Sequence, residues 1–423
     1  MSQQVFLRAA MRRLNFTRDA LAQRIGISRR ALDSWLLPEE SPEVRRMPEI
    51  AQRFVLELLN KIPEPTHCVD EQPMGNGESG QHLLSVDGYT RDSVEALLRV
   101  ADIMQPVARR QKTTRVLEGA VLANLFFEAS TRTRLSFSSA FARLGGSVCD
   151  TTGFTFSSMA KGESIHDTSR VISGYADAIV VRHPEQGAVA EFARATHVPV
   201  INAGDGPGEH PSQALLDLYT IQREFSRLDK LVDGAHIAFV GDLKYGRTVH
   251  SLSKLLALYR NLRITLISPP SLMLPEHLVE YLARNGHRVE QTCDLHSGLK
   301  DADVVYATRI QKERFAEQEA LEGYSADFQI NQALVNATCG TQTLIMHPLP
   351  RDSRPGANDL SVDLNGDSRL AIFKQTDNGI AVRMAIFATL LGVDDQVQHS
   401  LREVGWRVPV YLGPGDEVPH RDQ

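Results

Sequence analysis

Cysteine is scarce in this sequence, and its four residues, Cys68, Cys149, Cys293 and Cys339, stand far apart. No CxxC pair occurs, which excludes a zinc knuckle and a disulfide framework and suits a reducing compartment. No apolar run approaches the ~20 residues needed to cross a bilayer. The start, "MSQQVFLRAAMRRLNF", lacks the continuous apolar core of a signal peptide. Internal repeats and low-complexity tracts are absent too. So is an excess of positive charge: the formal net charge of -6 argues against bulk attraction to nucleic acid or an anionic membrane. The expectation is a cytoplasmic protein without membrane association, in which an anionic ligand must be drawn in by local arginines.

What is there suffices for more than one domain. With 423 residues, 42% hydrophobic and 23% charged, two or three domains with sizeable cores are expected. Residues 1–62 are helical in pattern and locally basic. Residues 63–82, with the Pro, Gly, Glu and Ser cluster of "PEPTHCVDEQPMGNGESG", read as a linker. From 83 onward short β-rich runs appear: "AVLANLFF", "AIVVRH", "VPVINAG", "HIAFVGD", "LRITLIS", "DVVYATR" and "TLIMHPLP". Several are apolar nearly throughout, as in strands buried on both faces of a parallel sheet. Amphipathic stretches such as Ser212 to Arg223 and Thr248 to Tyr259 lie between them, the alternation of α/β architecture. The pattern restarts near residue 234. Two α/β domains, 83–228 and 229–375, each a doubly wound parallel sheet, are therefore expected. "NGIAVRMAIFATLLG" reads as a last amphipathic helix within 376–398, and 399–423 as a weakly patterned tail.

The small N-terminal module carries its own signature, "TRDALAQRIGISRRALDSW". Thr17 is placed to cap one helix and Ser28 a second, with Gly26 at the turn. Ala22 is small where two helices would cross, and Leu32 and Trp35 would pack inward. The stretch resembles the helix-turn-helix of phage-repressor-type proteins. One reading is DNA contact through Arg29 and Arg30. The other is a helical module for assembly or regulation. Residues 1–60 hold 10 arginines against 7 acids, a balance of +3. That footprint is thin for a DNA reader and favours the second.

Chemistry is concentrated at strand ends. In "FFEASTRTRLSF" a helix starting near Ser130 would expose free N–H groups and a positive dipole end. Ser130, Thr131 and Thr133 add hydroxyls there, and Arg132 and Arg134 add charge. A phosphate or similar oxyanion fits such a site; an elaborate N-cap is the plainer alternative. "VVRHP" puts Arg182 and His183 at the end of a buried strand, where open α/β sheets bind ligands. "GEHPSQALLDLYT" brings His210 and Gln213 to a helix start, and "VGDLKYGRTVHS" does so for Asp242, Lys244 and Arg247. "MHPLPR" ends another strand with Pro348 and Pro350 around Leu349, rigid backbone able to aim carbonyl oxygens. Each segment alone is matched by a bland reading. Together they put anion-seeking groups at strand ends of both domains, with the active site between them.

At this point the sequence resembles the aspartate and ornithine carbamoyltransferase family over about 83–395. "STRTR", "HPSQALLD", "DLKYGRTVHSL", "TRIQKER" and "HPLPR" occur in the family's order. The resemblance implies carbamoyl phosphate and L-aspartate as substrates, in pyrimidine synthesis, with no metal and no cofactor. It implies that Ser130, Thr131, Arg132, Thr133 and Arg182 hold the phosphate. Thr133, Arg182 and His210 would point at the carbamoyl oxygen, and Gln213 would take the carbamoyl NH2. Carbonyls near Leu349 would orient the amine, with Leu349-Pro350 cis. Arg247 and Arg309, with Gln311 alongside and Arg314 in the same "TRIQKER", would meet the aspartate carboxylates. Ser157 and Lys161 of "SSMAKGES" would come from a neighbouring subunit, which implies a homotrimer or an assembly of trimers. The last helix would return to the first domain. His347 followed by Pro348, where an ornithine enzyme usually has cysteine, favours aspartate. Ala129 departs from the family's proline, and "DSRPGANDLSVDLNGDSRLAIF" from its acidic pattern. The module at 1–62 is not part of the common catalytic chain. It could dock a partner subunit, or the chain could be a regulator that keeps the α/β body as a sensor.

Overall fold

Strands form where β-branched and apolar residues run together, and in this chain nearly all of those runs are interior. The computed structural model describes residues 82–153, 162–309, 328–352 and 359–406, and near the start 3, 6–7, 11, 18–36, 45–48 and 50–55. Residues 1–72 and 73–423 form separate compact units.

In the smaller unit, α1 (Arg18–Ile25) and α2 (Arg29–Trp35) flank Gly26, whose φ of +80° is open to glycine and strained for other residues. Ser28 caps α2, its Oγ accepting from the Ala31 N–H at 3.2 Å. Leu21, Ala22, Leu32 and Trp35 share a core with Leu7, Leu36, Ala51 and Val55. Thr17 lies outside the described residues.

In the larger unit, β1 (Lys112–Thr113) pairs antiparallel with β11 (Arg402–Glu403) as a small ribbon. Strands β2 (Val121–Phe126), β3 (Ser147–Thr152), β4 (Ala178–His183) and β5 (Val200–Asp205) make a parallel sheet in the order β3-β2-β4-β5. Strands β6 (His236–Val240), β7 (Arg263–Ile267), β8 (Arg288–Thr292), β9 (Val304–Ala307) and β10 (Leu344–Met346) make a second, ordered β10-β9-β6-β7-β8. The seven apolar runs each hold one of these strands. β3 and β8 were not expected. Both are sheet edges whose faces are largely uncovered, so their sequences, SVCDTT and RVEQT, are mostly polar, unlike the buried edge strands β5 and β10.

Five helices frame the site or pack behind it: α3 (Arg91–Ala108), α4 (Thr131–Arg143), α5 (Pro211–Arg227), α6 (Arg247–Leu256) and α7 (Ile372–Leu390). The last differs from the expected 376–398 segment. It begins at Ile372, ends at Leu390, and is buried around most of its circumference rather than on one face. It packs on α3, α4 and α5 beside the first sheet, with Phe387 edge-on to Phe137 and Phe141 at 5.9 and 4.9 Å. Strand order reverses between β2 and β4 in one sheet and between β6 and β9 in the other, and α4 and α6 start just beyond β2 and β6. Such reversals are where open α/β sheets leave a crevice for ligands. No described helix is long and apolar enough to cross a membrane.

Candidate active site

Residues following the reversal points of both sheets line one cleft of about 420 Å³, within the roughly 300–1,000 Å³ of small-molecule sites. Among the described residues its lining holds five arginines, Arg132, Arg182, Arg247, Arg309 and Arg383, against a single carboxylate, Glu128. The cleft is thus locally positive in a chain of net charge -6.

The first sheet supplies one wall. The Phe127 N–H donates to the Arg182 carbonyl at 2.9 Å, tying the end of β2 to the end of β4. From there the chain turns at Ser130 into α4. Ser130 occupies the N-cap position, yet its side chain caps nothing. Its Oγ donates instead to Thr133 Oγ1 at 3.0 Å. The first-turn N–H groups therefore lack the capping acceptor that an elaborate N-cap would provide. Thr131 and Arg132 line the same cleft. Burial and the facing Arg309 guanidinium both pull the Arg132 guanidinium below its ordinary range. Two like charges held together across a cleft make an anion favourable between them.

Arg182 and Arg247 lie deeper, with side chains 11% and 8% exposed, and share Glu128: Arg182 Nη2 is 2.7 Å and Arg247 Nη2 3.5 Å from its Oε2. Gly204 permits this convergence. Its φ is +129°, and a Cβ there would sit 3.0 Å from an Arg182 nitrogen and 3.2 Å from two of Arg247. His210 is buried at the start of α5, its N–H donating to Ser251 Oγ at 3.3 Å. Gln213, in the first turn, donates from Nε2 to Asp217 Oδ1 at 2.9 Å.

The second sheet supplies the opposite wall. Arg247 opens α6, and Arg309 follows β9. After β10 the chain turns through His347, Pro348, Leu349 and Pro350, all in the lining, with the Leu349-Pro350 bond cis. His347 is the brace of this turn. Its Nδ1 accepts the Leu349 N–H at 2.8 Å, its Nε2 meets Asp359 Oδ1 at 2.9 Å, and its own N–H donates to Gln375 Oε1 at 3.0 Å. Burial alone would raise the Asp359 carboxyl, but His347 and the Asp352 and Leu360 amides hold it below the usual range.

The expected residues Ser130, Thr131, Arg132, Thr133, Arg182 and His210 meet in this one cleft, as do Gln213, Arg247, Arg309, Leu349 and Pro350. Gln311, Arg314, Ser157 and Lys161 lie outside the described residues. Other strand-end residues are employed elsewhere. Arg134 turns toward Asp150 on β3, 3.7 Å away. His183 is buried against Phe127, its Nδ1 accepting the Glu185 N–H, and burial lowers its pKa. Asp242 accepts the Tyr245 N–H at 2.9 Å and shapes a turn, and the Lys244 ammonium lies over the Tyr245 ring. Among the described residues no cluster of His, Cys, Asp and Glu suits a metal ion.

Three groups escaped the sequence reading. Glu128 stood in the quoted "FFEASTRTR" without a role. Arg383 is 4% exposed over the Phe137 ring, and burial lowers its guanidinium to about 10 against the attraction of Asp217. Asp217 sat unremarked in "HPSQALLD". An acid one turn after a cleft glutamine was the available signal.

Comparison with known proteins agrees with this geometry. Residues 81–223 match the family model "Aspartate/ornithine carbamoyltransferase, carbamoyl-P binding domain", and 233–390 match "Asp/Orn binding domain" of the same family. An aspartate carbamoyltransferase catalytic subunit of Dichelobacter nodosus is 60% identical over 337 residues, 80% of this chain and 97% of the relative. The aspartate transcarbamoylase of Trypanosoma cruzi, solved with carbamoyl phosphate and aspartate, is similar at TM-score 0.69 and 38% identity, covering 76% of this chain and 100% of that one. The same enzyme with carbamoyl aspartate and phosphate gives TM-score 0.69 over 76% and 99%.

Proposed function

We infer that this chain, which belongs to the aspartate/ornithine carbamoyltransferase family, transfers the carbamoyl group of carbamoyl phosphate to the amino group of L-aspartate, giving N-carbamoyl-L-aspartate and phosphate. The observation that carries this reading is an arginine-rich cleft fed by helix starts and strand ends of both sheets.

In the proposed division of work, the N–H groups opening α4, with Ser130, Thr131, Arg132 and Thr133, hold the phosphate, assisted by Arg182. Thr133 Oγ1 accepts from Ser130 and so keeps its own proton to donate. Thr133, Arg182 and His210 then aim donors at the carbamoyl oxygen, where negative charge develops. Such donors contribute about 3 kcal/mol each in comparable acyl transfers. Gln213 takes the carbamoyl NH2. The carbonyl groups near Leu349 orient the amine, and Arg247 and Arg309, with Gln311, receive the two carboxylates in forked geometry. The amine lone pair forms the C–N bond, the C–O bond to phosphate breaks, and phosphate departs with that electron pair and takes the ammonium proton. His210 serves as a donor rather than a base.

Ser157 and Lys161 complete the site from a neighbouring copy, which makes the working unit a trimer in the cytoplasm; light scattering checks its mass. The helical unit at 1–62, which resembles a helix-turn-helix, is read as a docking module. Arg29 and Arg18 are both drawn to Asp33, at 3.1 and 3.2 Å, which thins the basic surface that DNA would need. Tight, sequence-selective retardation of DNA at physiological salt would reverse that choice.

The deciding experiment incubates the purified full-length protein with carbamoyl phosphate and either L-aspartate or L-ornithine. Product with aspartate alone is expected. Product with ornithine overturns the specificity, and product with neither overturns the reaction.

A further inference from the structure

Between the two walls lies a carboxylate that the proposed mechanism leaves unused. Asp217, on α5, is fully buried. Its Oδ1 accepts from Gln213 Nε2 at 2.9 Å and from Gln375 Nε2 at 2.6 Å, and its Oδ2 accepts from the Tyr306 hydroxyl at 2.6 Å. These donors come from α5, α7 and β9. Even so, burial pushes its carboxyl up to about 7, with Tyr306, Gln375, Gln213 and Arg383 pulling the other way. Asp217 is not among the cleft lining, so it has no route to a substrate proton and is no general base.

Its use rests on what a carboxylate can and cannot do. Its Oδ1 accepts from both glutamines whether the group is ionised or carries its proton on Oδ2 toward Tyr306, so each glutamine must present its NH2 to Asp217 and turn its carbonyl oxygen away. At Gln375 the turned oxygen is put to visible use. It accepts the His347 N–H, at 3.0 Å, and so fixes the turn that carries Leu349 and Pro350. At Gln213, a residue of the cleft lining, the same constraint turns Oε1 away from Asp217 and leaves it for the cavity. An oxygen there suits a substrate NH2, and an NH2 group there would repel it.

We propose that Asp217 is a positioning residue: it locks the Gln213 amide with its oxygen toward the carbamoyl NH2 and, through Gln375, holds the His347–Pro350 turn on the opposite wall in register with it. This rests on Gln213 receiving the carbamoyl NH2, and the experiment separates the two claims. Full-length Asp217→Leu, Asp217→Asn and Gln213→Leu are compared by steady-state kinetics. The readouts are KM for carbamoyl phosphate, kcat, and Ki for inorganic phosphate as a competitor, with circular dichroism as the check on folding. Phosphate has no NH2 to be read.

Asp217→Leu is expected to lower kcat/KM for carbamoyl phosphate about 100-fold, the cost of a misplaced contact, while Ki for phosphate moves less than about threefold. Asp217→Asn keeps one oxygen for both glutamines, since the Tyr306 hydroxyl can rotate to accept. It should restore most of the loss and stay within about tenfold of the parent. Adding Gln213→Leu to Asp217→Leu should cost little beyond Asp217→Leu alone. If phosphate binding falls in step with carbamoyl phosphate, Asp217 is merely structural and the proposal fails. If Gln213→Leu impairs carbamoyl phosphate but folded Asp217→Leu does not, the positioning claim alone fails. If Gln213→Leu has no effect, the reading of Gln213 fails first. Should the leucine chain not fold, Asp217→Asn still decides: a folded asparagine variant impaired more than about 100-fold shows that charge, not amide orientation, is what Asp217 supplies.

Discussion

The two walls of the cleft are equipped for anions by different means. On the first, a helix start offers N–H groups, with hydroxyls of Ser130, Thr131 and Thr133 and the Arg132 guanidinium around it. That suits a phosphate, whose oxygens point in several directions. On the second, Arg247 and Arg309 offer flat forks, which match planar carboxylates. The first wall sets main-chain N–H groups beside short hydroxyl side chains, and it is pinned where the Phe127 N–H meets the Arg182 carbonyl at 2.9 Å. The second combines a helix-start arginine, Arg247, and a strand-end arginine, Arg309, with the turn through His347 to Pro350. In the proposed division, damage to the first wall strikes the chemical step and damage to the second strikes the choice of amine.

The largest effect should come from Arg132→Ala. Removing a charged donor from the departing phosphate is expected to lower kcat about 10³-fold, with KM for aspartate within about threefold. The reverse pattern in steady-state kinetics would show that the walls do not divide the work. His210→Ala should come next, with kcat lower by about 10²-fold at every pH and a pH profile of unchanged shape. A loss confined to one limb would recast His210 as an acid or base. On the second wall, Arg309→Lys keeps the charge and loses the fork. KM for aspartate should rise about tenfold while inhibition by inorganic phosphate stays put, so an altered phosphate Ki would couple the walls.

How much of this was legible in the sequence depends on how local each cause is. Buried strands announce themselves by apolar runs, and the segment at Ser130 by hydroxyls and arginines at a helix start. β3 and β8 were hidden because their faces are largely exposed and need little apolar surface. α7 was expected to be one-sided, with Asn378 and Arg383 polar in its sequence, whereas both are interior, as is Gln375 just ahead of the expected segment. Their partners lie far along the chain: Gln375 meets Asp217 and Asn378 meets Thr220, each 158 positions away. Glu128 and Asp217 escaped for the same reason. A carboxylate next to a motif acquires its meaning only from the arginines, glutamines and tyrosine that folding brings to it.

The smallest effect is expected where the contrast is greatest, between the α/β body and the N-terminal helical unit. A chain beginning at residue 81 should keep kcat and both KM values within about twofold. Three observations support this. The unit has a core of its own, from Leu7 to Val55. The Dichelobacter nodosus relative is matched over 97% of its length by 80% of this chain, and the family models begin only at 81. Among the described residues the body's first anchors are His82, whose Nδ1 accepts the Val200 N–H at 3.0 Å, and Leu83, whose N–H donates to the Val200 carbonyl and whose carbonyl accepts the Asn202 N–H, both at 2.8 Å. A cut ahead of Leu83 leaves that pairing beside β5 intact. Kinetics and light scattering on the shortened chain check the expectation. Lost activity with unchanged mass would make the unit a part of the catalytic apparatus, and lost mass would make it an assembly element.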